Sequence, residues 1–305
     1  MPSAIGLRVY QITVAERGTP DPIDLRDANL RLDVPQFLSR FIASHITVNR
    51  NDAMERSWYF EEVEEDGPGL SKGYIHYGTF GFESRFVDTR TQATNYRRQV
   101  SDIEEVPLFY EVWTPSRGKS TFVAFQTFRG RSCANMVLSA MREQFEDANP
   151  GYLLRYANLM PSDFRGNLYN DNQVKRVRLI KRNTSRDLAE QLLHEPEPID
   201  MEIILSARKK NFFGRLGDVA DQLRERAEGV VLYDGIEFDE ARADVQVGNK
   251  IRPVGIFGTN RSVGLIDLTG SVDNGDDGHP TFDSMASECS DIIEHFYSIV
   301  TGSPA

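Results

Sequence analysis

The clearest pattern of apolar and polar positions in the chain lies in Val106–Phe145. Two apolar runs, Pro107–Trp113 and Ser120–Phe128, are rich in aromatic and β-branched residues and flank a turn with Pro and Gly, as in a β-hairpin with a loop longer than two residues. The apolar spacing then becomes helical and places five residues on one face: Met136, Val137, Ala140, Met141 and Phe145. The segment therefore predicts strand, turn, strand and helix, with Ser132 as the helix N-cap.

The apolar spacing predicts further elements on both sides of this segment. Before it, we expect strands at Leu7–Val14, Trp58–Val63 and Gly73–Val87, a helix at Val34–His45, and an exposed loop or short helix at Thr89–Ser101. After it, we expect strands at Val174–Arg182, Ile199–Ala207, Ala241–Val247, Lys250–Phe257 and Val263–Leu268, and helices at Ser185–His194, Phe213–Ala227 and Phe282–Val300. This order predicts an α+β fold, in which helices pack on a mostly antiparallel sheet.

The length of the chain, 305 residues, suits one large domain or two ordinary ones. The polar segment Ser162–Gln173 contains Gly166 and a run of Asn and Asp, which is typical of a domain boundary. We therefore expect two closely associated subdomains, at about residues 1–165 and 166–305.

The last predicted helix has a continuous apolar side. Its members are Phe282, Met285, Cys289, Ile292, Ile293, Phe296 and Val300, and their spacing approximates a heptad. Two interpretations follow. The helix docks on the sheet of its own chain, or its apolar side associates with a second copy or with a partner protein.

The composition is that of a folded globular protein, with 40% apolar and 27% charged residues. No apolar run approaches the roughly 18 residues that a membrane helix needs, and the N-terminal segment lacks the regions of a secretory signal. We therefore expect a cytoplasmic protein without a membrane span. Two cysteines, Cys133 and Cys289, are too few for a disulfide framework or a zinc cluster, so buried thiols are expected.

Familiar catalytic and metal motifs fail when their spacing is checked. Gly118-Lys119-Ser120 lacks the earlier glycine of a phosphate-binding loop, Asp273–Gly278 lacks the ligand pattern of an EF-hand, and the histidines have no metal-binding spacing. Neither a nucleophile elbow nor a dinucleotide-binding glycine pattern occurs. We expect no metal and no cofactor, and the case for an enzyme is weak. A nuclease that uses carboxylates distant from one another in the sequence stays open as an alternative.

Basic residues cluster although the net charge of the chain is −11. Arg129 and Arg131 flank Gly130 just before a predicted helix, and the segment 173–182 holds five basic residues and no acid. If the strands pair, these groups could follow the phosphates of a nucleic acid. The candidate nucleic-acid-binding residues are Arg129, Arg131, Arg176, Arg178, Arg182, Lys209 and Lys210. The alternatives are a solvated loop with an ordinary helix cap, and edge strands that are protected by charge.

The segment 106–145 also resembles uncharacterised bacterial proteins of phage-defence islands. They have a similar Pro-aromatic strand, a strand that ends near Gln, a basic loop with Gly and an amphipathic helix. The resemblance carries no catalytic motif, but it implies a role in host defence. Together with the basic clusters, it predicts a binding or sensing module of an antiphage system that contacts nucleic acid. The alternatives are a nuclease-type effector and a structural partner protein of a complex.

Overall fold

The computed structural model describes residues 5–61, 69–159, 173–181, 200–208, 211–226, 231–233, 236–258 and 263–302. These residues form four helices: α1 (Val34–Ser44), α2 (Ala134–Ala148), α3 (Leu216–Arg226) and α4 (Phe282–Thr301). Their strands are β1 (Ile5–Glu16), β2 (Asn49–Asn51), β3 (Arg56–Phe60), β4 (Leu70–Thr79), β5 (Ser84–Val87), β6 (Thr94–Arg98), β7 (Glu104–Trp113), β8 (Thr121–Phe128), β9 (Tyr152–Asn158), β10 (Arg176–Lys181), β11 (Met201–Ser206), β12 (Val231–Tyr233), β13 (Ile236–Phe238), β14 (Glu240–Val247), β15 (Lys250–Phe257) and β16 (Ile266–Asp267). The predicted α+β class is confirmed.

The chain divides into two compact units. The central unit is Tyr10–Ala157, and the terminal unit combines Met1–Val9 with Asn158–Ala305. Strand β1 contributes to both, because the unit boundary falls within it. The boundary expected near residues 165 and 166, and the helix expected at Ser185–His194, lie outside the described residues.

In the central unit the strands follow the order β1-β8-β7-β4-β3-β2. Strands β7 and β8 pair antiparallel, with Tyr110 opposite Phe125 and Trp113 opposite Phe122, which confirms the predicted hairpin. Helix α1 joins α2 through an edge-to-face contact of Phe37 with Phe145, at 5.1 Å between ring centroids. Aromatic contacts of this kind add to the burial of apolar surface and fix the helices against each other.

One local prediction for the central unit is wrong, and a second is right only in part. Helix α2 has Cys133 rather than Ser132 as its N-cap, because the Cys133 carbonyl accepts the first helical hydrogen bond, from the amide of Val137. The segment Thr89–Ser101 is exposed except at Arg98, as expected, but it is a loop only at its two ends, since its middle is β6, which pairs with β5 in a separate two-stranded sheet. The pairing partner, and not the pattern within the segment, makes these residues a strand.

In the terminal unit the strands follow the order β11-β10-β14-β15-β16-β1, and these neighbouring strands pair antiparallel. Helix α4 buries most of the apolar side that its spacing predicts: Met285, Cys289, Ile292, Ile293 and Phe296. The chain itself covers this side of the helix, as the first interpretation expected. Both cysteines are buried and form no disulfide with each other, and burial raises the pKa of Cys133 to about 12, so its thiol stays protonated and unreactive.

A buried ion cluster attaches α4 to β15. The guanidinium of Arg252, which is fully buried, donates to Glu288, to Asp291 at 3.0 Å and to the carbonyl of Val247. Lys250 donates to the same Glu288 carboxylate. A buried cation needs such partners, because removing a charge from water costs several kcal/mol. Among the described residues no helix is long and apolar enough to cross a membrane.

Glu288→Gln should lower the free energy of unfolding by about 3 kcal/mol, the lower end of the range for breaking a buried ion pair, because Asp291 would still face Arg252. Urea unfolding followed by circular dichroism measures the change. Glu294→Gln, an exposed position on the same helix, should change stability by less than about 0.5 kcal/mol. Equal effects of the two substitutions would show that the cluster does not hold the helix.

Candidate functional site

The loop of Arg129 and Arg131 connects β8 to α2 through a tight turn. Arg129 and Gly130 both have positive φ, 49° and 77°, and the amides and carbonyls of Phe128 and Arg131 bond to each other. The Arg129 guanidinium lies 5.3 Å from the centroid of the Phe128 ring. Arg131 pairs with Glu104 at the start of β7. The loop is therefore held by contacts to β7 and β8, and its two arginines lie just beyond the C-terminal end of β8.

Arg176 and Arg178 lie on one face of β10, as the alternation of a strand predicts. Both contact Asp244 on the neighbouring β14: Arg176 at 3.3 Å, and Arg178 through two hydrogen bonds of 3.0 and 3.3 Å. Arg178 also lies 3.6 Å from Glu202 on β11. The hydrogen bonds to Asp244 raise the pKa of Arg178. The candidates Arg182, Lys209 and Lys210 lie outside the described residues.

Strands β5 and β6 form a two-stranded sheet, which we call the ribbon (residues 84–98). Its turn is ordered by Asp88, whose carboxylate accepts hydrogen bonds from the amides of Arg90 and Thr91 at 2.9 and 2.7 Å. These backbone hydrogen bonds lower the pKa of Asp88. A positive φ of 58° at Gln92 completes the reversal of the chain. The one carboxylate of the ribbon therefore stabilises the turn.

One face of the ribbon presents an exposed aromatic pair. Phe86 lies opposite Tyr96, with 6.0 Å between ring centroids, and the two residues are 47% and 51% exposed. Phe82, Val87 and Val100, close in sequence, are also exposed apolar residues. Exposed aromatic and apolar residues close together beside polar groups are typical of a binding site.

The opposite face of the ribbon presents two arginines side by side. Arg85 lies directly across from Arg97, both are exposed, and neither side chain makes an ion pair with a described residue. Like charges opposite each other across two strands are destabilising. A bound anion would remove this repulsion, so the pair suits a phosphate group.

The base of the ribbon is held by Arg98. This side chain is 2% exposed, and its guanidinium donates to the carbonyl of Thr79 and to Glu104, at 3.1 Å from the latter. It also lies 4.1 Å from the centroid of the Phe82 ring. Since Glu104 also pairs with Arg131, one carboxylate connects the ribbon to the Arg129–Arg131 loop.

A cavity of about 480 Å³ opens beside the aromatic face of the ribbon. Its lining residues are Phe86, Tyr96, Arg98, Asp102, Ile103 and Glu104. The Tyr96 hydroxyl donates to Asp102, which also accepts from the amide of Gln99 at 2.7 Å. The hydrogen bond between them raises the pKa of Tyr96 and lowers that of Asp102. The aromatic ring is thus held in place while its face stays open.

The sequence patterns did not single out the ribbon. Its strands are short, and Thr94–Arg98 carries mostly polar residues. The sequence feature that could have identified the ribbon is its charge, since residues 84–98 hold four arginines and one aspartate in an acidic chain. Of the predicted site residues, the structure brings Arg131 next to the ribbon through Glu104.

The pairing of Arg178 leads to a prediction about stability. Arg178→Glu should lower the free energy of unfolding by about 1–3 kcal/mol, because it places a carboxylate beside Asp244. The decrease should be smaller than that for breaking a fully buried ion pair, because Arg178 is partly exposed. Arg176→Glu, at a more exposed position, should cost under about 1 kcal/mol. Urea unfolding compares the two variants. If Arg178→Glu is no less stable than Arg176→Glu, the bidentate pair does not stabilise the sheet.

No protein-family model matches this chain, and no curated protein matches it in sequence. Within the part of the chain that the structure describes, no group of three or more His, Cys, Asp or Glu side chains is arranged to hold a metal ion. What the protein does therefore has to be inferred from the ribbon, its cavity and the arginines around them.

Proposed function

We propose that the protein binds nucleic acid through the ribbon, as the binding or sensing component of a bacterial antiphage system. The observation that carries the proposal is the exposed Arg85–Arg97 pair, which forms no ion pair with a described residue, on a ribbon whose other face exposes Phe86 and Tyr96. The defence setting comes from the resemblance of segment 106–145 alone.

The arginine pair suits contact with a phosphate backbone. Guanidinium groups bind phosphate through two parallel hydrogen bonds, and two of them opposite each other can bind one phosphate or two successive ones. Arg90 in the turn adds a third exposed cation. Because the remainder of the chain is acidic, attraction to a polyanion would be confined to this surface.

The aromatic pair suits contact with bases. Exposed rings together with cations are the combination by which proteins hold nucleic-acid strands, since bases stack on the rings and phosphates meet the cations. Because the ring pair and the Arg85–Arg97 pair lie on opposite faces of the ribbon, one strand would contact both by passing around the edge of the ribbon. Arg129 lies next to this surface, because Arg131 of the same loop contacts Glu104. That contact neutralises Arg131, which makes Arg131 a poorer phosphate ligand. Arg176 and Arg178 are poorer phosphate ligands, because Asp244 already neutralises them.

A second candidate function is docking of a partner protein on the exposed apolar residues of the ribbon and the segments next to it. The exposed apolar residues Phe82, Phe86, Val87, Tyr96 and Val100 favour it. The two candidates differ in what the arginines do. Phosphate contacts make binding fall steeply with salt, whereas an apolar protein interface is much less dependent on salt.

Arg85→Glu with Arg97→Glu should weaken binding to DNA and RNA of any sequence by about tenfold or more at low salt, because phosphate contacts carry no sequence information. The slope of log affinity against log salt should fall in magnitude by about 1.4–1.8, for two lost contacts. Fluorescence anisotropy with labelled oligonucleotides, titrated at several salt concentrations, measures both quantities.

A control of equal charge change is Arg31→Glu with Arg40→Glu, two exposed arginines elsewhere in the central unit. This variant should retain most of the affinity and the wild-type salt slope. If both double variants lose affinity equally, general electrostatics rather than the ribbon is responsible. Absence of binding by the wild-type protein at low salt would reject the proposed function and leave protein docking as the candidate.

A further inference from the structure

We infer that the cavity beside the ribbon receives an unpaired nucleobase, so that the ligand is a single-stranded segment rather than a duplex. The inference rests on the proposed function, since the arginines supply the backbone contact. It goes further because it assigns the cavity, the Phe86–Tyr96 pair and Arg98 to the recognition of one base.

The size and openness of the cavity suit such a ligand. Its volume of about 480 Å³ lies within the roughly 300–1,000 Å³ of small-molecule sites in proteins. The rings of Phe86 and Tyr96 form part of its wall, and each is about half exposed. A base entering the cavity would cover this apolar surface by stacking, which is tolerant of base identity because every base has an aromatic face.

Arg98 provides an independent indication of a ligand. The side chain is 2% exposed and lines the cavity, yet its Nε, which is itself buried, has no hydrogen-bond partner among the described residues. Buried polar atoms without a partner are uncommon in proteins, because each costs about 1–3 kcal/mol. Base carbonyl oxygens and ring nitrogens are acceptors that arginine meets at base edges in other complexes, and one of them would reach the buried Nε once the side chains that cover it shift.

The carboxylates of the cavity could meet the amino groups of a base. Asp102 and Glu104 line the cavity and accept hydrogen bonds from Tyr96, Arg98 and Arg131. Each ionised carboxylate has about four lone-pair sites, so these contacts leave acceptor capacity. Together with Arg98, the cavity offers both a donor and acceptors to the edge of one base.

Only an unpaired base can use these groups. In a duplex each base is stacked on both sides and its pairing edge is occupied, so entry into a side cavity requires the base to leave the stack. That step costs a few kcal/mol in a duplex and little in a single strand. The cavity should therefore favour single strands, loops and ends over duplexes of equal length.

The test uses a short oligonucleotide with one 2-aminopurine, a base whose fluorescence falls on stacking, both single-stranded and annealed to its complement. The full-length protein should bind the single strand more tightly than the duplex and should quench its fluorescence. Phe86→Ala should remove the quenching and weaken single-strand binding by about 5- to 150-fold, the range for loss of one stacked base. Phe86→Leu, which keeps more of the apolar side chain, should also remove most of the quenching. This variant replaces Phe86→Ala in the test if Phe86→Ala does not fold.

Phe213→Ala is the matched control, since Phe213 is also exposed, 42%, but lies in the terminal unit. It should leave quenching and affinity unchanged. Salt-dependent binding with no quenching, or with equal quenching by wild type and both Phe86 variants, would overturn the cavity assignment and leave the proposed function in place. No binding of either strand form at low salt would overturn the proposed function itself.

Discussion

Glu104 accepts hydrogen bonds from two arginines of different segments, and the geometry of the candidate site depends on this pairing. Arg98 ends the ribbon and is almost fully buried, so its charge needs a carboxylate partner. Arg131 reaches the same carboxylate from the loop before α2. A two-stranded ribbon is only marginally stable alone, and this contact ties its base to β7. The aromatic pair is thereby held next to the cavity.

Each unit uses a buried arginine in the same way. Arg98 in the central unit and Arg252 in the terminal unit are among the largest fully buried side chains. Each meets carboxylates and a backbone carbonyl, that of Thr79 or Val247. Burying a cation rarely adds net stability. A buried cation does, however, disfavour any packing of the helices and strands that would separate it from its carboxylate and carbonyl partners. The two arginines thus define where the ribbon and α4 attach.

The availability of a cation for binding depends on its neighbours across the sheet. Arg178 belongs to a segment without acids, yet Asp244 on β14 neutralises it. Arg85 follows Glu83 in sequence, yet its neighbour across the ribbon is Arg97. Clusters of charge along a chain therefore do not identify exposed cations, because the pairing of strands brings the decisive charges together.

The sequence by itself determined the elements with strong local periodicity. The hairpin of β7 and β8, the apolar faces of α1 and α4 and the α+β class follow from spacing alone, because the burial of one face depends on residues two to four positions apart. In the candidate site it identified Arg129 and Arg131 but not Arg85, Phe86, Tyr96 and Arg97. Only the tertiary structure decided the pairing of β5 with β6 and the contact of Arg178 with Asp244, 66 residues away. Both depend on which strands become neighbours, and the residue pattern within one strand does not indicate which strand pairs with it.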